Sequence, residues 1–237
     1  LLEAAARSDT LQRLVYISTQ GVYPVRDHFG TDETEPLHAG VDGYTTTKVE
    51  AERLCEEFVR RERVPVVTLR PGWIYGPRDR TVIPRVLENL RNGRFRYLGT
   101  GEQTMSNTYV GNLVNAIFLA LKTDGVIGEA FNITDGRLVT KREFFGAIAR
   151  HAGLPEPTKQ VPLWVAKGLA GLLETVYRGL QLSDPPVLST AKIKILGLNL
   201  GFSIAKARRL LGYDPQVDFD DAMQLTMDWF NRQAAAL

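Results

Sequence analysis

Two short runs that are almost continuously apolar, RLVYIST from residue 13 and VPVVTLRP ending at Pro71, stand on either side of a helical pattern over residues 43 to 63. A strand with one wet face alternates apolar and polar residues, whereas a continuous β-branched run fits a strand covered on both faces, as in a parallel sheet. Parallel neighbours need a crossover, and strand, helix, strand in that order is the right-handed crossover unit of an α/β sheet. The stretch between the first run and Asp42 is rich in turn residues and is expected as loop.

The alternation continues beyond WIYGPRD. Val82 to Asn92 predicts a helix stopped by Gly93, FRYLGTG a short strand and turn, QTMSNTYV an extended segment, NLVNAIFLALK a helix and EAFNITD another strand. Thr140 and Glu143 in TKRE predict a capping box opening a helix to about Ala152. From Leu154 the alternation ceases. VPLWVAKGLAGLLETVYRGL, VLSTAKIKIL, SIAKARRLLGY ending at Gly212 and a closing helix capped at Asp218 predict a helical, loop-rich remainder. LLEAAARSD has helical composition without a cap before it, which reads as a chain beginning in mid-element.

Charge excludes one class of function: 29 Lys and Arg against 27 Asp and Glu leave a net +2, no electrostatic case for nucleic acid. The one cysteine, Cys55 in AERLCEEF, reads as a small buried apolar residue and rules out a disulfide within the chain. His28, His38 and His151 are scattered without ligand spacing and read as surface histidines, so no metal is expected. With no signal peptide and no apolar run long enough to span a bilayer, a cytoplasmic protein is expected.

Tyr44 and Lys48, in YTTTK, lie one turn apart on the same face of the first long helix. That pair is weak evidence alone, but Thr19 ends one buried strand and Pro71–Gly72 turn the chain at the end of the next, at the edge where α/β sheets hold ligands. Oxidising an alcohol or reducing a ketone requires a group that exchanges the hydroxyl proton while hydride moves to or from a nicotinamide. A phenol is a poor base at neutral pH. An ammonium about 4 Å away at an effective dielectric near 20 is worth roughly 4 kcal/mol, enough to make it a usable one. Thr19 would hold the reacting oxygen.

VYISTQGVYP, YTTTKVEAERL, LRPGWIYGPRD, YVGNLVNAI, FNITDG and SIAKARRLLGYDP, in this order over nearly the whole chain, resemble the successive blocks of the extended short-chain dehydrogenase/reductases. The resemblance implies an α/β fold: part of a Rossmann-type doubly wound parallel sheet (residues 1–80 and 108–135) with a smaller, mostly helical substrate domain (81–107 and 136–237). It implies a catalytic Thr19, Tyr44 and Lys48, and NAD as cofactor with NADP left open. Ser18, Tyr44, Lys48, Pro71, Gly72 and Ile74 are the cofactor-side candidates, and Gln20, Gly21, Trp73, Arg78 and Tyr109 the substrate-side ones. Arg78 and Asp79 read either as touching substrate or as a salt-bridged loop, and Asn112 either as lining the pocket or as capping the following helix. The family's glycine-rich phosphate turn has no counterpart here: Gly40 and Gly43 lack a third glycine, and Gly168, Gly171, Gly197 and Gly201 read as packing in the late helical region. The dinucleotide-binding opening segment is therefore expected before Leu1.

Within the family, nucleotide-sugar epimerases and dehydratases usually carry an asparagine where Trp73 stands and an arginine near Met105, whereas Gly99 to Asn112 hold no Arg or Lys. A diphosphate would lack cationic partners there. The LRPGWIYGPRD block looks more like the 3β-hydroxysteroid and sterol dehydrogenases, which implies an apolar secondary alcohol or ketone; the epimerase/dehydratase branch and a non-catalytic dinucleotide-binding sensor are the alternatives. Residues 161–182 carry an apolar stripe with Trp164, read as a helix over the substrate pocket or as a peripheral membrane contact. The resemblance also implies a homodimer through the long helices.

Overall fold

The computed structural model describes residues 1–39, 42–179 and 190–235. A short α1 (Leu2–Ala6) precedes β1 (Leu14–Ile17), a 3-10 turn at Gln20–Val22 and β2 (His28–Thr31). α2 (Gly43–Glu62) then carries the chain to β3 (Val66–Pro71), which pairs in parallel with β1 from Leu14↔Val66 to Ile17↔Leu69. The expected crossover is thus formed. Asp42 starts α2 by accepting from the Thr45 N–H at 2.6 Å, which satisfies one of the free donors of the first turn.

All six residues of β3 are buried, as its continuous run requires. The four of β1 are only partly buried, because its outer edge pairs with no strand among the described residues. Beyond β4 (Trp73–Tyr75) come α3 (Val82–Arg91), β5 (Tyr97–Leu98), β6 (Thr104–Met105), β7 (Asn107–Tyr109), α4 (Val110–Lys122) and β8 (Ala130–Ile133). β8 joins β3 in parallel, giving the order β1-β3-β8, and β4 pairs in parallel with β7. α2 packs on one face of the sheet through Cys55, Val64, Leu14 and Tyr16, and α4 on the other through Leu113, Ala116, Val15 and Ile17. Burial holds the Cys55 thiol up at about 11, so it is protonated and inert, as a small core residue should be.

The remainder is β9 (Val139–Thr140), α5 (Lys141–His151), β10 (Gln160–Val161), α6 (Leu163–Gly179), α7 (Thr190–Gly197), β11 (Leu200–Phe202), α8 (Ala205–Leu211) and α9 (Phe219–Ala235). The Thr140 hydroxyl accepts from the Glu143 N–H at 3.0 Å, but the Glu143 carboxylate turns to Arg137 instead of closing the capping box. Gly212 ends α8 at φ 65° and Asp218 accepts from the Asp221 N–H at 3.0 Å, both as expected. Three expectations fail. β2 lies in the stretch read as loop, while β10 and β11 interrupt the stretch read as helical, where Gly201 is a strand residue beside β2. His28 is fully buried and not a surface residue. Its Nε2 donates to Pro24 O (3.0 Å), its Nδ1 meets the Thr31 hydroxyl (2.9 Å), and its ring lies 4.5 Å from that of Phe202.

Two buried polar networks hold these layers in register. Arg70 on β3 donates from Nε (3.0 Å) and Nη2 (2.6 Å) to the Glu52 carboxylate of α2, and from Nη1 to the Tyr23 hydroxyl at 2.9 Å. Tyr23 in turn donates to Asn132 Oδ1 on β8 at 2.9 Å. The second network centres on Asp135, which accepts from Tyr75 OH (3.1 Å), Asn107 Nδ2 (2.8 Å), Tyr109 N (2.8 Å) and Asn112 Nδ2 (2.9 Å). Asn112 therefore lies within α4 as part of this network instead of capping the helix. No helix of the described residues is long and apolar enough to cross a membrane.

The Arg70–Glu52 pair is almost wholly buried, at 4% and 2% side-chain exposure. Glu52→Gln leaves the guanidinium without a counter-charge and is expected to cost about 3–5 kcal/mol in denaturant unfolding, whereas the double change Glu52→Leu with Arg70→Met loses distinctly less. A single variant as stable as the parent would remove the pair's structural role. Lys141 is 1% exposed and burial lowers its pKa from 10.5 to about 7. The unfolded chain therefore binds more protons above pH 7, and this group's contribution to stability rises with pH by about 1 kcal/mol per unit between about pH 7 and pH 9. Lys141→Met should flatten that part of the pH profile in chemical denaturation, and an unchanged slope would refute the assignment.

Candidate active site

Backbone pairing brings the ends of β1 and β3 side by side, and Ser18 N donates to Leu69 O at 2.7 Å just beyond the ladder. The chain then turns at Thr19, whose Oγ1 accepts from the Gly21 N–H at 3.0 Å. That bond occupies a lone pair and leaves the hydroxyl hydrogen free to be donated. Ser18 is buried beside it with no hydrogen-bond partner for its own hydroxyl.

α2 starts across the same edge. Tyr44, in its first turn, is 60% exposed. One turn later Lys48 reaches back to the strand and donates to Ile17 O at 2.8 Å, with its ammonium 5.2 Å from the Tyr16 ring centroid and 5.9 Å from that of Tyr44. The cation is thus anchored between the phenol and the strand end.

At the end of β3, Gly72 donates to Ile133 O and to the Thr108 hydroxyl. A Cβ there would strike both the carbonyl and the hydroxyl oxygen of Ser106, so only glycine lets β4 approach β7 this closely. The neighbouring Trp73 packs edge-on to Phe145 at 6.3 Å and its indole N–H has no partner.

These ends converge on one cavity of about 550 Å³. Of the residues singled out in the sequence, Ser18, Thr19, Gln20, Gly21, Tyr44, Pro71, Gly72, Trp73 and Ile74 line it, and Lys48 stands beside Tyr44. Two do not belong. Tyr109 is a core residue, 8% exposed and packed on Tyr75 at 5.8 Å, because all three residues of β7 are buried. Arg78 is exposed at φ 69° in the turn after Gly76, away from the cavity wall and in no ion pair among the described residues. Asp79 accepts from the N–H groups of Thr81, Val82 and Ile83 and so opens α3.

The rest of the wall comes from residues the sequence did not mark, among them Ser106, Lys194, Ile195, Leu200 and Phe202. No described side chain of α6 lines it; α6 packs through Ala166 and Ala170 on Ile193 of α7, and α7 supplies Lys194 and Ile195 to the cavity. Residues 180–182 of the expected stripe lie outside the described residues. Lys194 is the single cation among the described lining residues, and Met105 is buried in the core.

Comparison with known proteins agrees with this architecture. Residues 1–134 match the model of the NAD dependent epimerase/dehydratase family. The decarboxylating sterol-4-alpha-carboxylate 3-dehydrogenase of Candida albicans is 30% identical, covering 97% of this chain and 69% of the relative. The 2-alkyl-3-oxoalkanoate reductase of Stenotrophomonas maltophilia is 30% identical, covering 93% and 69%. Among solved structures, the UDP-glucuronic acid 4-epimerase of Bacillus cereus in complex with NAD superposes with a TM-score of 0.74 at 22% identity, over 98% of this chain and 65% of that one. The chain therefore spans about two-thirds of the length of these relatives, and it belongs to the NAD dependent epimerase/dehydratase family, the extended short-chain dehydrogenase/reductases.

Proposed function

We propose that this chain carries the proton-transfer site of an NAD-dependent oxidoreductase that interconverts a secondary alcohol and its ketone within a largely apolar molecule. The carrying observation is the meeting of Thr19 and Tyr44, with the Lys48 ammonium behind them, on one cavity whose wall is mostly apolar. The bound dinucleotide supplies the hydride acceptor or donor. Pro71 and Gly72 offer a wall with little side chain, suited to a flat ring. After its bond to Ile17 O, Lys48 retains two N–H donors for ribose hydroxyls. Ser18 and Ile74 border the same place.

This chain's residues then manage the proton. Thr19 donates its free O–H to the reacting oxygen and fixes its position. Tyr44 takes the hydroxyl proton during oxidation and returns it during reduction. Lys48, tethered to the strand, stabilises the negative charge that reaches the phenol oxygen during transfer. Trp73, Ile74, Ile195 and Phe202 supply the apolar walls. The names of the sterol dehydrogenase and the oxoalkanoate reductase, both acting at a carbinol or ketone on a hydrocarbon framework, support this substrate class. A nucleotide-sugar substrate finds less support, since a diphosphate needs several cations and the described wall offers one.

We extend the proposal to a lipid surface as the source of substrate. α6 exposes Trp164 (78%), Leu169 (46%) and Leu172 (62%), a pattern suited to lying in a bilayer interface.

Tyr44→Phe is expected to lower turnover of apolar secondary alcohols at least ~100-fold, followed by the absorbance of reduced nicotinamide, with an unchanged circular dichroism spectrum; near-parental turnover would refute the role. The parent should sediment with phosphatidylcholine vesicles and a Trp164→Ser, Leu172→Ser variant should stay in the supernatant. Equal partition of the two would remove the surface contact.

A further inference from the structure

One hydrogen bond fixes a point and leaves a direction open. The Lys48 ammonium donates to Ile17 O at 2.8 Å and makes no ion pair among the described residues. With that bond alone the cation could swing about the carbonyl, and two other groups compete for it. Glu52 stands four residues on in α2, the spacing at which a carboxylate draws in a lysine one turn away. Water is the other competitor, because Tyr44 in the turn before is 60% exposed.

The structure answers both. Each Glu52 oxygen already accepts from Arg70, Oε1 from Nε at 3.1 Å and Oε2 from Nη2 at 2.6 Å, so the carboxylate is paired inside the protein. Tyr16, the β1 residue before Ile17, packs on the α2 side of the sheet against Cys55, Val64 and Val66. The Lys48 ammonium lies over its ring at 5.2 Å from the centroid, nearer than the 5.9 Å to the Tyr44 ring. Both distances fall within the ~6 Å at which a ring quadrupole attracts a cation, and the attraction grows as water is removed. Tyr16 is partly buried and Tyr44 is not, so the nearer ring is also the drier one. Burial pushes the Tyr16 hydroxyl up to about 12, which leaves it an uncharged ring at neutral pH and no second base.

We propose that Tyr16 is a positioning residue of this site: the face of its ring, together with Ile17 O, holds the Lys48 ammonium at the end of β1 and beside Tyr44. The consequence for turnover rests on the oxidoreductase reading above. The placing of the ammonium does not, and it can be measured without substrate or hydride transfer.

The test is acetylation of the whole protein with acetic anhydride, followed lysine by lysine by mass spectrometry, with the exposed Lys159 as internal reference. Lys48 should label about fivefold faster in Tyr16→Leu than in the parent, while Tyr16→Phe, which keeps the ring face, stays within about twofold of it. Phenylalanines carrying one, two or three ring fluorines, introduced at position 16, keep the shape and weaken the face step by step; Lys48 labelling should rise with each fluorine. This series reads the ring even where Tyr16→Leu does not fold. In turnover of an apolar secondary alcohol, Tyr16→Leu should lower kcat about fivefold with KM within about twofold of the parent, and Tyr16→Phe should restore kcat. Equal Lys48 labelling in the parent and Tyr16→Leu overturns the proposal. So does a flat fluorine series, which would make Tyr16 a packing residue only, or faster labelling with kcat unchanged. Graded labelling in a protein that turns over no alcohol or ketone leaves the placing intact and overturns the oxidoreductase reading instead.

Discussion

The Arg70–Glu52 ion pair is the constraint on which the site depends. α2 carries Tyr44 and Lys48 but contributes few large apolar groups to the sheet: its buried positions are Thr45, Val49, Glu52 and Cys55. Its rotation about its own axis is therefore fixed less by side-chain volume than by one carboxylate that must find its cation on β3. Glu52 lies one turn beyond Lys48, so fixing Glu52 fixes the face on which Lys48 and Tyr44 emerge. The same guanidinium bonds Tyr23, which follows the Thr19 turn, and Tyr23 bonds Asn132 on β8. One buried cation thus sets the relation between the helix that carries Tyr44 and Lys48, the strand end and the turn that follows Thr19. An apolar contact could supply comparable energy but not this directionality, because dispersion and burial tolerate rotation and a bidentate carboxylate does not.

Directionality also explains where the unsatisfied groups lie. Buried polar atoms in a folded protein are nearly always paired. Among those without partners here, Ser18 Oγ, Gln20 Nε2 and Trp73 Nε1 all belong to residues lining the same cavity. Unpaired polar atoms therefore gather in the residues around this one cavity, although the atoms themselves are closed to solvent. The closeness of β4 to β7, permitted by Gly72, brings Ser106 and Trp73 to that cavity, where the Ser106 hydroxyl donates to Gln20 of the Thr19 turn.

The long elements were legible in the sequence because periodicity is strong where a helix or buried strand runs for many residues, as in α2, β3 and α9. β2, β10 and β11 were not, since two to four residues carry no period and their pairing depends on partners far along the chain: Leu200 with His28, Gln160 with Tyr97. Much of the site was legible for a related reason. Thr19, Tyr44, Lys48, Pro71 and Gly72 sit at ends of elements whose order fixes which edge they share. Tyr109 was misread because a tyrosine next to a helix start reads alike whether its ring enters a pocket or a core; the Asp135 network draws β7 inward. His28 was misread because the carbonyl and hydroxyl that satisfy it come from a local turn without a sequence signature. Arg70, Glu52 and Lys194 had no local signal at all. Lys194 meets Gly21 across 173 positions of sequence.

Lys141 and Lys194 show what such distant contacts do. Both are buried, both donate to backbone carbonyls, and burial lowers both below the ordinary lysine range. Lys141 starts α5 and bonds Leu198 O, and it is not among the residues lining the cavity of the candidate site, so it serves to hold α5 to the segment that follows α7. Lys194 performs a similar tie, to Gly21 and Tyr23, but at the wall of a hollow. The desolvation cost is comparable in kind, and the two ties differ in what they hold. The Lys194 tie reaches the turn that Gly21 forms with Thr19, so α7 and the end of β1 are held in one place by the same residue, whose N–H serves Thr19 Oγ1 and whose carbonyl serves Lys194.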